Sequence, residues 1–179
     1  MPALLVALLV GLPHRRSEVT LWGSLGILFS WAGDVLLASP GDLGFFLGLG
    51  GFLVAHVMYL VLFARPLRTR RLPVIALFYV GWWLVLVLVL APHLGQLLIP
   101  VAIYGLVLGA AAAFALGTNR ITAVGGLLFA LSDTTLAFTM FYPGFAIWQQ
   151  DFVIMVLYIV GQGLIILGAV RQVRARVAA

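Results

Sequence analysis

Residues 43–71 read LGFFLGLGGFLVAHVMYLVLFARPLRTRR, and residues 43–64 of this stretch hold no charged side chain apart from the titratable His56. At about 1.5 Å per residue, a helix over 43–64 rises about 33 Å, enough to cross a hydrocarbon layer of about 30 Å. The run of four Arg that follows (Arg65, Arg68, Arg70, Arg71) marks where the chain leaves the lipid. Working outward, the polar, Pro-containing and Gly-containing breaks at 14–18, 39–42, 65–72, 91–96, 117–120 and 142–151 separate further apolar runs. They predict spans at 2–12, 19–38, 43–64, 73–90, 97–116, 121–141 and 152–170, an all-α polytopic transmembrane bundle of about seven helices. The chain reads as one transmembrane domain, 1–179, with a polar C-terminal tail at 171–179.

The charges test this division independently of hydropathy. Arg15 and Arg16 lie in the first break, the four above in the third, Arg120 in the fifth, and Arg171, Arg174 and Arg176 in the tail. The second, fourth and sixth breaks carry none, so every Arg falls on one side. The positive-inside rule makes that side, and the C-terminus, cytoplasmic, as expected in a bacterial inner membrane. With 64% apolar and 8% charged residues and a mean hydropathy of +1.21, a water-soluble fold would lack polar groups to cover its surface. Topology accounts for the net charge of +5 and the pI near 10.5, so no nucleic-acid partner is expected. The absence of Cys excludes disulfides and thiolate chemistry.

The first span is short, about 17 Å of helix, and reads as marginal or truncated. A cleaved signal peptide is disfavoured, because no positive residue precedes it and Pro13-His14-Arg15 is a poor cleavage site. Small residues punctuate other spans: Gly44 and Gly48; Gly105, Gly109 and Ala113; Gly161, Gly163 and Gly168. Such spacing lets helix backbones approach closely in lipid.

The four Asp divide into two classes. Asp42 and Asp151 fall at expected helix starts, where a carboxylate complements the helix dipole, and read as structural. Asp34 and Asp133 sit inside apolar spans, where a carboxylate requires a partner, a proton or a wet cavity. His56 shares a helical face with Phe52, Tyr59 and Phe63. Helix rise puts Asp34 about 22 Å, Asp133 about 18 Å and His56 about 12 Å from the cytoplasmic ends of their spans. Secondary candidates are Ser30, Ser132 and the pair Tyr158 and Gln162, for which interhelical hydrogen bonding is an equal reading. Residues 33–38 (GDVLLA) weakly echo 132–137 (SDTTLA) on helices running the same way.

No Gly-x-Ser-x-Gly elbow, His-Glu-x-x-His pair or phosphate loop is present. His14 and His93 are expected in loops, so a three-His intramembrane zinc site is not available. Two carboxylates and one imidazole form an inventory for proton transfer.

The stretch 29–37 (FSWAGDVLL), with 45–49 (FFLGL) and 52–59 (FLVAHVMY), resembles the first signature of the YhhN family of membrane proteins, whose studied animal members are lysoplasmalogenases. Residues 126–137 (GLLFALSDTTLA) resemble a second signature, and Tyr158 with Gln162 a third, weaker one. The likeness covers most of the chain from the second span onward. One departure stands out: members resemble eight-helix bundles with a Lys-Pro pair opening an early helix, where this sequence has Met1-Pro2. A shortened chain or a misplaced start is the expectation.

The resemblance implies hydrolysis of the vinyl ether of a lysoplasmalogen, an ether-hydrolase activity in lipid metabolism. Protonation of the β-carbon would form an oxocarbenium ion, which water captures. A carboxylic acid shielded from water can supply the proton while a second carboxylate stabilises the cation, as in glycoside hydrolysis. Asp34, Asp133 and His56 are the expected catalytic set, with Asp133 favoured as the acid and Ser30, Tyr59, Ser132, Tyr158 and Gln162 supporting. The partners implied are a lysophospholipid-like single-chain substrate, the bilayer and a second copy of the chain in a homo-oligomer; no metal or organic cofactor is required. The competing reading is a proton-coupled carrier of a small molecule or lipid using the same residues. A structural or assembly role would instead scatter them over separate helix contacts.

Overall fold

The computed structural model describes residues 1–13 and 17–178. His14, Arg15, Arg16 and Ala179 lie outside the described residues, and so do the expectations made for them. The described residues form seven α-helices: α1 (Pro2–Gly11), α2 (Glu18–Leu37), α3 (Asp42–Ala64), α4 (Phe78–Leu94), α5 (Leu98–Ala115), α6 (Arg120–Phe141) and α7 (Gln150–Ala178). No strand occurs among the described residues.

Five helical runs, rather than the seven spans expected, are long and apolar enough to cross a membrane. The helix α1 is too short. The expected fourth and fifth spans merge into one run of 42 residues, Val74–Ala115, which folds back at Gly95. Gly95 holds φ at +50°, a conformation that favours a residue without Cβ. The helix α4 continues past the expected end at 90, through Pro92 to Leu94, because Leu86, Leu90 and Leu94 bury their side chains together with Val101. His93 therefore lies in the last turn of α4 rather than in a loop. The opening of that span differs too, since residues Val74–Leu77 form a 3-10 turn before α4 begins.

The polar residues beyond 170 continue the helix α7 to Ala178. Ala, Arg and Gln favour helix, and cations suit a helix C-terminus. Gln172 Nε2 donates to Leu67 O at 2.7 Å, Arg174 Nε to Gly11 O at 2.7 Å and Arg176 Nη1 to Pro66 O at 2.6 Å. These bonds gather the ends of α1, α3 and α7 at one end of the bundle, where the described Arg residues lie.

The exterior is more apolar than parts of the interior. Val10, Leu88, Ile99 and Phe152 are exposed, while Ser30, His56, Thr122, Ser132, Asp133 and Gln162 are buried. That inversion suits a lipid solvent, and the chain is an integral membrane protein.

Two hairpins pack internally along their length, α2 against α3 and α6 against α7. In the first, the backbone of Gly51 approaches that of Gly33, and a Cβ at Gly51 would come within 3.1 Å of Gly33 Cα. In the second, Gly161 meets Gly125 and Phe129. The hairpin α4–α5 is held by Trp83 Nε1, which donates to Ala102 O at 2.9 Å. Of the small residues singled out in the sequence, Gly44, Gly48, Gly105, Gly109, Gly161 and Gly168 meet neighbouring groups, but Gly163 faces open space.

Among the described residues, neither helix of the first hairpin packs closely, backbone on backbone, against a helix of the second. The short α1 bridges α2 and α7, and α5 bridges α3 and α6. The space left between the hairpins is the setting for the buried polar groups.

Candidate active site

His56 lies on the inner face of α3 with Phe52, Tyr59 and Phe63, all buried. Its Nδ1 donates to Phe52 O at 2.7 Å, one turn earlier, since a carbonyl oxygen can only accept. That bond fixes the tautomer: in the neutral ring Nε2 carries the lone pair. Nε2 points at Asp133 Oδ2, 3.5 Å away, and has no hydrogen-bond partner within normal distance among the described residues. Tyr104, from α5, donates its hydroxyl to the same Oδ2. The imidazole is boxed by aromatic rings, with Phe129 at 4.6 Å and Tyr104 at 5.4 Å between centroids.

Across the gap, Tyr158 of α7 donates to Asp34 Oδ2 at 3.1 Å. The arrangement is reciprocal. Asp34, on the first helix of one hairpin, meets a side chain from the second helix of the other; Asp133 meets His56 in the same relation. The echo between residues 33–38 and 132–137 thus corresponds to two carboxylates held at the junction of two hairpins.

Deeper in, Tyr59 donates to Gln162 Oε1, and Gln162 Nε2 donates to Ser30 Oγ at 2.8 Å. These three groups saturate one another and tie α2, α3 and α7 together. Beyond them toward the Arg-bearing end come Leu8, Leu62, Phe63 and Leu67, each at most 1% exposed, which close the interior with packed hydrocarbon. Ser132 donates to Ile154 O at 2.9 Å, an interhelical bond between α6 and α7.

A cavity of about 690 Å³ opens between the hairpins, its lining including Asp34, Phe52, Ser132, Asp133, Asp151 and Tyr158. Its mouth lies where α2 ends and α7 begins, the end opposite the Arg cluster. Next to it, an apolar slot of about 40 Å³ runs between α3, α5 and α6, bounded by Phe45, Leu49, Val101, Tyr104, Ala137 and Phe141. Leu37, Phe52, Asp133 and Leu136 line both spaces. Asp133 therefore stands at the joint between an open cavity of mixed lining, which carries the carboxyl groups of Asp34, Asp133 and Asp151, and an apolar slot. His56 does not line the cavity and reaches it only through Asp133.

Asp34, His56 and Asp133 are thus brought to one place, with Tyr158 bonded to Asp34, while Tyr59, Gln162 and Ser30 form a layer beneath. Two residues of the site escaped sequence reasoning. Tyr104 had a signal, as the only polar side chain in α5. Asp151 does sit in the first turn of α7, as its structural reading requires, but it also lines the cavity, and nothing local announces that. Among the described residues, no group of three or more His, Asp or Glu side chains could hold a metal ion.

A model of the YhhN family matches residues 1–169. The chain belongs to the YhhN family. Among relatives, it is similar to a protein of Mycobacterium bovis (strain ATCC BAA-935 / AF2122/97) named lysoplasmalogenase, with 35% identity over 162 residues, 80% of this chain and 58% of that protein. It is also similar to the Homo sapiens protein named lysoplasmalogenase TMEM86B, with 36% identity over 148 residues, 82% of this chain and 62% of the human one. The Rattus norvegicus protein of the same name is 34% identical over 144 residues, 80% of this chain and 59% of the rat one. This YhhN chain therefore spans about three fifths of the length of the relatives it matches. No solved structure matches it.

Proposed function

We propose that this YhhN protein hydrolyses the vinyl ether of a lysoplasmalogen, lysoplasmenylethanolamine or lysoplasmenylcholine, to a fatty aldehyde and a glycerophospho-alcohol. The observation that carries the reading is Asp133 at the joint of cavity and slot, backed by His56. The apolar walls of the slot suit the carbons of an alkyl chain next to the vinyl ether, with the rest of the chain running out into lipid, and the open cavity suits a polar headgroup, which brings the vinyl ether between them to Asp133. The names of the relatives point to the same reaction.

In this reading Asp133 donates its proton to the β-carbon, and the resulting oxocarbenium ion is stabilised by the Asp34 carboxylate. Water adds to the α-carbon and gives its proton to Asp34. The hemiacetal then collapses: its carbon–oxygen bond to the glycerol breaks, the hydroxyl proton passes to the departing oxygen, and aldehyde and alcohol are released. The proton on Asp34 returns to Asp133 across the wet cavity, so one water is consumed and both carboxyl groups are reset. With Oδ2 engaged by Tyr104 and His56, Oδ1 is the oxygen free to meet substrate. His56 Nε2 buffers the charge of Asp133 through the cycle.

A proton-coupled carrier would need a polar route to the Arg-bearing end, and the packed layer of Leu8, Leu62, Phe63 and Leu67 speaks against one. Under the positive-inside rule the cavity mouth faces away from the cytoplasm and the C-terminus lies in it, in a bacterial inner membrane.

Purified protein supplied with lysoplasmalogen should release aldehyde, and the saturated-ether analogue should yield none, because a saturated ether has no β-carbon to protonate. Release from both, or from neither, would overturn the reading, and the second outcome with uptake into vesicles would favour transport. Tyr104→Phe removes one donor to Oδ2 while keeping the ring against His56. It is expected to lower kcat about tenfold or more, with KM little changed; an unchanged kcat would exclude Tyr104 from orienting the acid.

A further inference from the structure

A second cavity, of about 600 Å³, lies at the opposite end of the bundle, between the start of α6 and the end of α7. Its lining includes Arg120, Arg171 and Arg176, with Thr69, Asn119 and Gln172, and no carboxylate among the described residues. The polar groups other than Arg are occupied in building the walls. Asn119 Nδ2 donates to Gly168 O at 3.1 Å and to Gln172 Oε1 at 2.8 Å, and Thr69 Oγ1 donates to Gly117 O at 3.1 Å. Arg176 is pinned by Pro66 O at 2.6 Å, which holds its guanidinium at the rim without neutralising it. Arg120 and Arg171 are exposed, and neither lies within ion-pair distance of a carboxylate among the described residues.

Topology explains why Arg residues occur at this end, but not why three of them border one shallow, open groove. Three uncompensated guanidinium groups, each able to fork onto phosphate oxygens, leave a strong field for an anion. The cavity sits where membrane-crossing helices emerge from lipid, the level of phospholipid headgroups, and basic pockets between helices there suit anionic headgroups. We infer that this pocket binds the phosphate of an anionic phospholipid headgroup, with Arg120 and Arg171 as its mobile clamps and Arg176 as its fixed one. The site is separate from the catalytic cavity, and the inference does not depend on the activity.

The test is thermal unfolding in neutral detergent with added phosphatidylglycerol, phosphatidylcholine or inorganic phosphate, together with native mass spectrometry of retained lipid. A bound ligand raises the unfolding midpoint in proportion to the logarithm of its occupancy. Phosphatidylglycerol should protect the wild-type protein and be retained, and phosphatidylcholine should do neither. Arg120→Gln with Arg171→Gln should weaken retention about tenfold. The control, Arg65→Gln with Arg71→Gln, removes equal charge from the same end outside the pocket and should retain lipid as wild type does. Equal loss in both double variants would reduce the effect to diffuse attraction and overturn the site. Equal protection by phosphatidylcholine would overturn the anionic preference, and protection by inorganic phosphate to the same extent would overturn the lipid assignment.

Discussion

Asp133→Asn is expected to lower the rate of aldehyde release from lysoplasmalogen by about 10²–10⁴-fold, the contribution typical of a positioned general acid. The substitution is nearly isosteric. Its amide oxygen, placed where Oδ2 now sits, can still accept from Tyr104, while His56 Nε2, which faces that same position at 3.5 Å, gains no donor and loses none. The bond to Tyr104 therefore survives and His56 keeps its own bond to Phe52 O, so the loss reports the missing proton rather than a collapsed site. Substrate binding rests on the slot and cavity walls, which do not change, and KM should move little beside kcat. The measurement is steady-state aldehyde release in detergent, with the unfolding midpoint confirming that the variant is folded. A loss smaller than about tenfold would remove Asp133 from the role of acid and shift it to Asp34.

Gly161→Ala and Gly163→Ala should move stability in opposite directions, although both lie in the same small-residue pattern of α7. At 161 a Cβ would stand 2.9 Å from Phe129 N and 3.0 Å from Gly125 O. Both are backbone atoms of α6 that cannot turn aside as a side chain could. Relief requires parting α6 from α7, and overpacking of this kind costs about 1–3 kcal/mol. At 163 nothing lies within 4 Å, so Ala adds only its greater helix preference, a gain of up to about 1 kcal/mol. Because Tyr158 lies one turn before Gly161 on the same helix, parting the pair would also pull its hydroxyl from Asp34, and Gly161→Ala should lose activity along with stability. Unfolding midpoints of the two variants in one detergent check the sign. A Gly161→Ala protein as stable as wild type would mean the two helices are not held at backbone contact.

The residues that proved legible in the sequence were those whose chemistry conflicts with their surroundings. Asp34, Asp133 and His56 stand out because a charged or titratable group inside an apolar run demands a partner, and the structure supplies partners for all three. Tyr104 is a milder conflict, a single hydroxyl in an apolar helix, and a Tyr in lipid does not demand a partner as a carboxylate does. Gly163 misled for the opposite reason. Spacing alone cannot distinguish a glycine that faces a neighbouring helix from one that faces open space.

The helical membrane class, the side on which the Arg residues gather and the three groups too polar for their spans are legible in the amino acids alone, because each follows from transfer between water and lipid residue by residue. Which side chains meet became visible only once the helices were packed: the reciprocal pairs Asp34 with Tyr158 and Asp133 with His56, the presence of Asp151 at the cavity and the two distinct cavities at opposite ends. Those depend on how two hairpins are rotated and spaced. That placement is set by α1 and α5, which bridge the two hairpins, and by the close backbone contacts at Gly51 and Gly161 that fix the spacing inside each hairpin, so it follows from packing between helices and not from any one stretch of chain.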